Sequence, residues 1–498
     1  MNMNVAVLKA APAAAPATEP DYADQILGPS TASRRAFRDA MLLAVDMVAD
    51  GSAASGSYSG TTVQGLSGLL DDLDPLPEVG TGIAAALADI GRPALDHALA
   101  VGHPAAMAHL HCPVAVPALA AEVLISATNQ SLDSWDQSPF ATLVEERVLA
   151  QLTKLAGLPP SASGSFTSGG SQSNMTALYL AAARFGAQAR RSGVIFTSEQ
   201  SHFSIRKSAA ILGFADDAVI AIATDAEGRM SVSALEAGLQ RVLSEGGVAV
   251  AVVATAGTTD LGAIDPLAEI ADLAAAHDLW MHVDAAYGGG LLFSRHRGRL
   301  AGLERAHSIA LDFHKMLFQP ISCGALLLAD GAHFAPLASK ADYLNPEDAV
   351  FADAPNLVER SMQTTRRADA LKVLMTMRSI GRDGLDALIC QTLENTRAAA
   401  EAVEARDYLR LARPPSLSTV LFRYVPAGGP DLADEITLKT RAALFHAGIA
   451  ALATTVLDGR VHFKLTLLNP RSTPDVVHRV LDAIGETARE LETHHARA

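Results

Sequence analysis

The sequence predicts an α/β protein built around a large, doubly wound and mostly parallel sheet. Between about residues 105 and 385, short apolar runs alternate with stretches of helical periodicity, which is the pattern of repeated strand-helix-strand units. With 498 residues, 49% of them apolar, the chain is long enough to bury such a sheet and to form further domains. Continuous apolar composition is typical of strands that are covered on both faces. The predicted strands are Val194 to Thr197, Val248 to Thr255, Leu279 to Val283, Ile309 to Leu311 and Ala325 to Ala329.

The chain before this domain has a different pattern. Residues 1–20 are rich in alanine and proline, and we expect them to form a disordered tail. Residues 21–104 carry helical periodicity, starting with a helix for which Ser33 is the expected N-cap. We therefore predict an N-terminal helical segment that leads into a large α/β domain at residues 105–385.

The chain after residue 385 mixes strand and helix patterns. Thr419 to Tyr424 and Val461 to Leu467 have the composition of strands, and Thr473-Pro474 opens a helix. We expect residues 386–498 to form a small C-terminal α+β domain.

Composition and charge limit the classes of partner. The chain has 39 basic and 54 acidic residues, and its net charge of −15 disfavours nucleic acid and anionic membrane surfaces. It has no run of eighteen strongly apolar residues, so we expect no membrane span. Its cysteines, Cys112, Cys323 and Cys390, are widely scattered and lack the paired C-x-x-C spacing of a zinc or redox site, so no metal site is predicted and a reducing compartment is expected. Because Lys9 interrupts the apolar N-terminus, a secretory signal is not indicated and we expect a soluble, cytoplasmic protein.

The pair of residues that carries most information is Asp284 and Lys315. They are 315 − 284 = 31 residues apart, a spacing that suits one strand-helix-strand step, and each follows a predicted strand. In a parallel sheet both side chains would then emerge at the carboxyl edge, where α/β sheets bind ligands. Pyridoxal phosphate requires a lysine that forms a Schiff base and an acidic partner at the pyridinium nitrogen. Taken singly, Lys315 could be a surface lysine and Asp284 a turn residue, but three glycines after Asp284 leave room for a flat ring.

A glycine-rich turn is the predicted site for the phosphate. Ser168-Gly169-Gly170-Ser171 precedes a helical pattern that begins at Met175, and backbone N–H groups at a helix N-terminus bind anions. An ordinary loop is the alternative reading of this turn.

Two further polar residues follow predicted strands. His202 comes after Val194 to Thr197, where an imidazole could stack on a pyridine ring, and Thr259 comes after Val248 to Thr255, where a hydroxyl could bond the cofactor. Each could equally be an ordinary polar loop residue.

Seven segments of the chain, taken together and in this order, resemble the group II pyridoxal-phosphate-dependent amino-acid decarboxylases, relatives of aromatic-amino-acid and glutamate decarboxylases. The resemblance extends from about His103 to Pro470. The segments are His103-Pro104 with Asn129-Gln130-Ser131, Ser134 to Pro139, Thr167 to Asn174, Ser198 to His202, His282 to Gly290, Asp312 to Lys315, and Thr364-Thr365-Arg366-Arg367.

The resemblance implies a fold and a set of residue roles. The implied fold is that of pyridoxal-phosphate-dependent transferases, aspartate aminotransferase fold type I. It further implies a homodimer with active sites at the interface, and a substrate entrance shaped partly by residues near His109 to Cys112. Lys315 would form the internal Schiff base, Asp284 would pair with the pyridinium nitrogen and His202 would stack on the ring. The remaining implied cofactor contacts are Gly170, Ser171 and His314 near the phosphate and Thr259 near the ring.

Two positions depart from the pattern of the aromatic-amino-acid decarboxylases. Asp312 stands where those enzymes carry an asparagine near the phosphate, and a carboxylate there would repel a phosphate dianion. The stretch Pro355 to Arg360 lacks the loop tyrosine that protonates the product in those enzymes. Another residue or a water molecule would then supply that proton, and Tyr343 is a weak candidate.

The segments from Asp312 to Leu327 and from Asp342 to Pro346 resemble the diaminobutyrate and lysine decarboxylases of bacterial siderophore pathways more than the aromatic branch. The expected reaction is decarboxylation of L-2,4-diaminobutyrate to 1,3-diaminopropane. Lysine or ornithine is the next expected substrate, and an aromatic amino acid is the third. An aminotransferase, a carbon–sulfur lyase or a non-catalytic protein of the same fold are the alternatives of other classes.

Overall fold

The computed structural model describes residues 22–52, 56–71, 73–186, 189, 192–338 and 354–497. They fall into two compact units. The first contains the described residues up to 52 and those within 62–98, and the second contains residues 56–61 and those from 99 onward. Among the described residues, no helix has the length and the apolar character needed to cross a membrane.

The first unit is helical. Its longest helix begins at Thr31 because Ser30 has an extended backbone and its hydroxyl accepts a hydrogen bond from Ser33 N at 3.0 Å. Ser33 was the expected N-cap, and that assignment is wrong: its hydroxyl donates instead to the carbonyl of Ile26 at 2.7 Å. The helices are α1 Thr31–Asp50, α2 Val63–Asp71, α3 Ile83–Ala86 and α4 Arg92–Asp96, with a 3₁₀ turn at Tyr22–Gln25 and a π turn at Leu87–Gly91.

The second unit contains a seven-stranded sheet with helices packed on it. Its strands are β1 Ser163–Thr167, β2 Gly193–Ser198, β3 Val219–Ile222, β4 Val248–Thr255, β5 Trp280–Asp284, β6 Ser308–Asp312 and β7 Gly324–Leu328. The helices before and between them are α5 Val116–Thr128, α6 Pro139–Leu155, α7 Gly170–Arg184, α8 Ser204–Ile211, α9 Val232–Ser244 and α10 Leu267–Ala276. The strand order is β1-β7-β6-β5-β4-β2-β3.

Strands β2 to β6 are parallel, as expected, and β7 is antiparallel to both of its neighbours. The sequence reading that made Ala325 to Ala329 another parallel strand is therefore wrong in direction. The reason lies in the connection from β6 to β7, residues 313–323, which contains no helix to carry the chain back across the sheet. The connection from β5 to β6 also differs from expectation, because it consists of the 3₁₀ turns Gly288–Phe293, Arg295–Leu300 and Leu303–Arg305 instead of an α-helix.

The large sheet buries side chains on both faces. In β4, Val252 and Ala254 join one apolar cluster, while Ala251 and Val253 join the cluster on the other face. The same alternation in β5 places Trp280, His282 and Asp284 together on the face that α7 covers. A polar side chain on α7 can therefore reach the polar residues of β5.

The rest of the second unit is a long helix followed by a four-stranded antiparallel sheet. The elements are α11 Ala370–Glu404, β8 Leu409–Leu411, β9 Thr419–Tyr424, α12 Ala433–His446, β10 Ala453–Leu457, β11 Arg460–Thr466 and α13 Pro474–Arg497, in the sheet order β10-β11-β9-β8. The predicted helix from Pro474 is present and buries Val477, Val480, Leu481 and Ile484. The division at residue 385 falls within α11, close to the bend at Gly381, and stays a prediction.

Candidate active site

The carboxyl ends of β4, β5 and β6 and the N-terminus of α7 enclose a cavity of about 260 Å³. A single edge of the sheet gathers these segments because β4, β5 and β6 run in the same direction. Leu110, from the predicted entrance segment His109 to Cys112, also lies on its wall. Every residue that the sequence proposed for cofactor binding lines this cavity: Gly170, Ser171, His202, Thr259, Asp284, His314 and Lys315.

The glycine-rich turn joins β1 to α7. Gly169 has a φ of 143°, and a Cβ placed on it would lie 2.9 Å from Cε1 of His314. A Cβ on Gly170 would lie 2.9 Å from Cβ of Ala286. Side chains at either position would thus fill the space at the start of α7, where the first N–H groups have no acceptor within the helix. The turn has the geometry of an anion site.

Lys315 lies three residues after the end of β6. Its Nζ is 3.1 Å from Oδ2 of Asp312, the last residue of that strand. The other oxygen of this carboxylate, Oδ1, is buried and has no hydrogen-bond partner among the residues that the structure describes. Next to Lys315, Nδ1 of His314 is 2.8 Å from the carbonyl oxygen of Cys323, which fixes the imidazole at the end of β7. The amine and the carboxylate therefore occupy the end of the cavity nearest the glycine-rich turn.

The loop that carries Lys315 is supported from behind by a buried ion cluster. Nζ of Lys372 is fully buried and lies 2.9 Å from Glu122 Oε1, 3.0 Å from Asp369 Oδ1 and 3.2 Å from the carbonyl oxygen of Pro320. Burial lowers the pKa of Lys372, but Cys323 and the two carboxylates together outweigh it, and the pKa lies above its usual value. The cluster holds the loop at Pro320, a few residues past Lys315.

A second buried pair holds β1. Arg366 binds Glu145 through both guanidinium nitrogens, at 2.9 and 3.1 Å, and Glu145 also accepts the N–H of Phe166 at 3.3 Å. Arg367 binds Glu122 at 2.6 Å. The two arginines of the Thr364-Thr365-Arg366-Arg367 segment thus stabilise the frame of the site and do not line the cavity.

Asp284, the last residue of β5, lies on the cavity wall, and we call its surroundings the Asp284 end and those of Lys315 the Lys315 end. Its Oδ2 accepts a hydrogen bond from Nδ2 of Asn174 at 2.8 Å, and its Oδ1 accepts one from the backbone N–H of Ala286 at 3.1 Å. No cation pairs with this carboxylate among the described residues. These two donated hydrogen bonds fix the orientation of the carboxylate.

His202 follows β2 and forms another part of the wall. Its Nδ1 lies 2.8 Å from the hydroxyl of Ser204 and accepts the backbone N–H of Ser204 at 3.3 Å. Burial lowers the pKa of this imidazole; Lys315 lowers it further, while Asp284 and Asp312 oppose the change. The imidazole is therefore neutral at neutral pH, and its proton is on Nε2.

Sequence reasoning assigned no role to three residues of this wall: Asn174, Thr255 and Tyr287. Tyr287 carries a hydroxyl that accepts the N–H of Ser418 at 2.8 Å and lies 3.1 Å from the hydroxyl of Thr419, so it is engaged by the C-terminal part of the chain. Thr255 is the strand partner of Asp284 in the sheet. Asn174 and Tyr287 lie within segments that carry the family resemblance, but nothing local in the sequence indicates their contacts.

The stretch without a tyrosine, Pro355 to Arg360, packs against the large sheet. Leu357 is buried, and Arg360 binds Glu146 at 2.7 Å and the hydroxyl of Ser163 at 3.1 Å. Tyr343 and the segment Asp342 to Pro346 lie outside the described residues.

The residues present fit pyridoxal phosphate. The glycine-rich turn leaves a space that a Cβ would fill, and the same cavity wall carries an amine and a carboxylate with two hydrogen-bond donors. Pyridoxal phosphate needs contacts of these three kinds at its phosphate, its aldehyde carbon and its ring nitrogen. The fold and the site together define a pyridoxal-phosphate-dependent enzyme.

Comparison with known proteins gives the family. The model of the pyridoxal-dependent decarboxylase conserved domain matches residues 83–425, and the chain belongs to that family. The chain is 81% identical over 498 residues to an L-2,4-diaminobutyrate decarboxylase of Rhizobium meliloti, covering 100% of both chains. It is 38% identical over 457 residues to an L-2,4-diaminobutyrate decarboxylase of Acinetobacter baumannii, covering 87% of this chain and 89% of that one.

Solved structures show the same fold. The glutamate decarboxylase domain of diaminobutyrate-pyruvate transaminase and L-2,4-diaminobutyrate decarboxylase from Vibrio parahaemolyticus superposes with a TM-score of 0.85 at 35% identity, covering 94% of this chain and 99% of that chain. The expected fold type and the expected cofactor are confirmed.

Proposed function

We propose that this chain decarboxylates L-2,4-diaminobutyrate to 1,3-diaminopropane and carbon dioxide, with pyridoxal phosphate as its cofactor. The observation that carries the substrate is the 81% identity, over the full length of both chains, to the Rhizobium meliloti enzyme of that name. The cavity at the carboxyl edge of the sheet, with both Lys315 and Asp284 on its wall, supports the chemistry.

When bound, pyridoxal phosphate supplies an aldehyde that binds amines covalently and a protonated ring that accepts the electrons left when carbon dioxide departs. We assign the covalent attachment to Nζ of Lys315, the amine on the cavity wall. We assign Asp284 to the ring nitrogen, because its carboxylate is held by two donors and can keep a proton on that nitrogen. The two assignments place the reacting carbon near Lys315 and the electron sink near Asp284.

The remaining predicted residues take positioning roles. We assign Gly170 and Ser171 to the phosphate through the N-terminus of α7, with His314 beside them. His202 is assigned to the face of the ring and Thr259 to its edge, and both lie on the cavity wall. Fixing the ring in this way lets the enzyme choose which bond at Cα is broken.

The product requires a proton at Cα in place of the lost carboxylate. The hydroxyl of Tyr287 is engaged with Ser418 and Thr419, and the stretch from Pro355 to Arg360 has no tyrosine. We therefore propose that a water molecule or another residue supplies the proton, because the neutral His202 imidazole, with its one proton on Nε2, would be left as an anion if it gave that proton up.

Product analysis of the holoenzyme tests the reaction. Incubation with L-2,4-diaminobutyrate, lysine, ornithine, glutamate and an aromatic amino acid should give 1,3-diaminopropane and an equal amount of carbon dioxide from the first, at the highest kcat/KM. If a keto acid forms and no carbon dioxide is released, the enzyme is an aminotransferase and not a decarboxylase. Aromatic amines alone would keep the chemistry and refute the substrate.

Reduction with borohydride followed by peptide mapping tests the attachment site. The pyridoxyl label should be on Lys315 and should be lost in Lys315→Met. Lys154→Met, which changes an exposed lysine of α6, should keep the label and the activity. A label on any other lysine refutes the assignment of Lys315.

We also propose that the enzyme is a homodimer. Helix α5 exposes Val116, Leu119 and Val123, which are three and four residues apart and so lie on one side of the helix, and Phe140 at the start of α6 is 73% exposed. A second copy of the chain would cover such a surface. Light scattering should give twice the chain mass of 51.9 kDa, and Leu119→Asp should lower it toward the monomer.

A cytoplasmic location completes the proposal. Its support is chemical: Cys112, Cys323 and Cys390 are all buried as free thiols, as is usual for proteins of a reducing compartment. Cell fractionation with an antibody to the chain tests it.

A further inference from the structure

A chain of hydrogen bonds runs behind the cavity wall and joins its two ring-facing residues. Asn174, on the second turn of α7, is 1% exposed. Its Nδ2 donates to Asp284 Oδ2 at 2.8 Å and to the hydroxyl of Ser204 at 3.0 Å. Ser204 in turn contacts Nδ1 of His202 at 2.8 Å. On its other side, Oδ1 of Asn174 lies 2.9 Å from Nε2 of His282.

The direction of each bond on the His282 side follows from Asp284, which accepts from Nδ2 of Asn174 and so leaves Oδ1 of Asn174 to accept from Nε2 of His282. Nδ1 of the neutral His282 ring then accepts from the hydroxyl of Ser308 at 2.8 Å, and the Ser308 oxygen also accepts the indole N–H of Trp280 at 2.8 Å. The neutral His282 ring then carries its proton on Nε2 and donates to Oδ1 of Asn174. Burial lowers the pKa of His282, in agreement with a neutral ring.

This order leaves both N–H groups of the Asn174 amide free to donate, and they meet Asp284 and Ser204. The whole hydrogen-bonding capacity of the amide is therefore used in one orientation. Ser204 accepts from Asn174 and gives its own proton to His202. Because the backbone N–H of Ser204 also points at Nδ1 of His202, the proton of that imidazole stays on Nε2.

We propose that Asn174 is a positioning residue that fixes two contacts of the cofactor ring at once: Asp284 at the ring nitrogen and His202 on the ring face. It orients the Asp284 carboxylate through the hydrogen bond from Nδ2 and, through Ser204, holds His202 in the Nε2–H tautomer. The inference rests on the proposed function, since it takes from it the roles of Asp284 and His202. Packing alone does not account for Asn174, because a leucine of similar volume would fill the same buried space without polar groups that need partners.

The test replaces Asn174 by Leu in the holoenzyme and reads the cofactor without substrate. The enzyme is loaded with pyridoxal phosphate that carries ¹⁵N in its ring. The ¹⁵N shift should report a protonated ring nitrogen in the native enzyme and a shift toward the unprotonated value in N174L, because Asp284 without its donor takes more of the shared proton. The dissociation constant of the cofactor should rise by about tenfold or more.

Three other variants separate this role from general stability. Thr176→Val removes a buried hydroxyl from the same helix, one that donates to the carbonyl of Gln172, and it should leave both cofactor readouts unchanged. Ser204→Ala should keep the native ¹⁵N shift but lower kcat with little change in KM, and Ser204→Thr should restore kcat. If N174L is not recovered as folded protein, Asn174→Ala gives the same two readouts.

A native ¹⁵N shift and a native cofactor affinity in N174L or N174A would overturn the proposal, and so would changes of the same size in T176V. These readouts involve no amino acid, so they stand apart from the reaction. A native enzyme that forms no amine refutes the proposed function but leaves the dependence of the ring nitrogen on Asn174 to be measured.

Discussion

The two ends of the cavity are stabilised by different kinds of contact. Behind Lys315, charged side chains meet in buried pairs: Lys372 with Glu122 and Asp369, and Arg366 with Glu145. Behind Asp284, the partners are neutral: an asparagine, serines, an imidazole and an indole. Both arrangements are buried and both are rich in hydrogen bonds.

The difference matches what each end has to do. At the Lys315 end, the charges lie behind the loop and fix its position, so they do not need to be tuned to the chemistry. At the Asp284 end, a second formal charge would change how a proton is shared between the carboxylate and a ring nitrogen. Neutral hydrogen-bond donors orient Asp284 without adding such a charge. Charge pairing is thus used to hold the frame, and neutral hydrogen bonds are used where the proton has to be placed.

Removing the charge of Lys372, at the centre of the ion cluster behind Lys315, should have the largest effect. In Lys372→Met, Glu122 and Asp369 remain half-buried, with Arg367 as their cation among the described residues, and the carbonyl of Pro320 loses its donor. We expect the free energy of unfolding to fall by about 3 kcal/mol, the lower end of the cost of breaking a buried ion pair on one side, because the two carboxylates stay in partial contact with water. Urea unfolding of the holoenzyme at fixed cofactor concentration, followed by tryptophan fluorescence, measures it.

An exposed ion pair provides the control for this change. Lys439 binds Glu435 one turn away on α12, and both side chains are largely in solvent. Lys439→Met should change the free energy of unfolding by less than about 0.5 kcal/mol. If the two methionine variants lose equal stability, the frame at the Lys315 end does not depend on its buried charges.

At the other end, removing the charge should affect catalysis more than stability. Asp284→Asn keeps the size of the side chain and one acceptor, but its amide cannot hold a proton on the ring nitrogen. We expect kcat to fall by about 100- to 1000-fold, as for other losses of preorganised electrostatic stabilisation. Steady-state kinetics measures kcat, and the urea midpoint should move far less than in Lys372→Met. A large loss of stability with little loss of kcat would reverse the proposed contrast.

Much of this site could be predicted because strand direction places residues that are distant in sequence at one edge. Asp284 and Lys315 meet at the cavity because β5 and β6 are parallel neighbours, and His202 and Thr259 follow β2 and β4 in the same sheet. The glycine turn could be predicted from composition, since only glycine fits there. These features depend on backbone geometry, which has a clear signature in the sequence.

Contacts between side chains left no such signature. Lys372 and Glu122 are 250 positions apart, so no local sequence pattern predicts that they pair. Asn174 looks like any polar residue in the first turns of a helix. The antiparallel direction of β7 was missed because an apolar run does not encode direction. Strand β1 was missed because Phe166 is its only large apolar residue.

Asp265 is a buried aspartate bonded to Thr255, the strand partner of Asp284, and its titration makes the free energy of unfolding depend on pH. Asp265 accepts the N–H groups of Thr255 and Met230, both at 2.7 Å, and burial raises its pKa to about 6. The pKa in the unfolded chain is about 3.9, so between about pH 4 and pH 6 the folded protein binds more protons. Proton binding by Asp265 therefore stabilises the folded protein by about 3 kcal/mol below about pH 4. This contribution is lost as the pH rises through about 6.

The measurement compares the native enzyme with Asp265→Asn, which cannot titrate. The free energy of unfolding of the native enzyme relative to the variant should decrease by about 3 kcal/mol from pH 4 to pH 7 and then level off. A difference that is constant across this range would mean that a cation reaches Asp265. The Asp284 end would then contain a charge pair, as the Lys315 end does.

The smallest effect is expected at Asp312, a carboxylate close to both the Lys315 amine and the phosphate turn. Its Oδ2 is 3.1 Å from Nζ of Lys315, and a Cβ on Gly170 would lie 3.4 Å from the same oxygen. Asp312→Asn removes a negative charge beside the anion site and also frees the lysine from its pair. Both changes favour a phosphate dianion. We expect the variant to bind pyridoxal phosphate analogues more tightly.

The probe for Asp312 is 4′-deoxypyridoxine 5′-phosphate, which has no aldehyde and so reports binding without covalent attachment. Fluorescence quenching of the cofactor-free enzyme should give a dissociation constant about tenfold lower in D312N. Asp278→Asn, at an aspartate whose side chain is 78% exposed, should leave it within about twofold. Weaker binding in D312N would mean that the carboxyl group donates a hydrogen bond to the phosphate instead of repelling it. In that case the Lys315 end, like the Asp284 end, would place a proton as well as hold the frame.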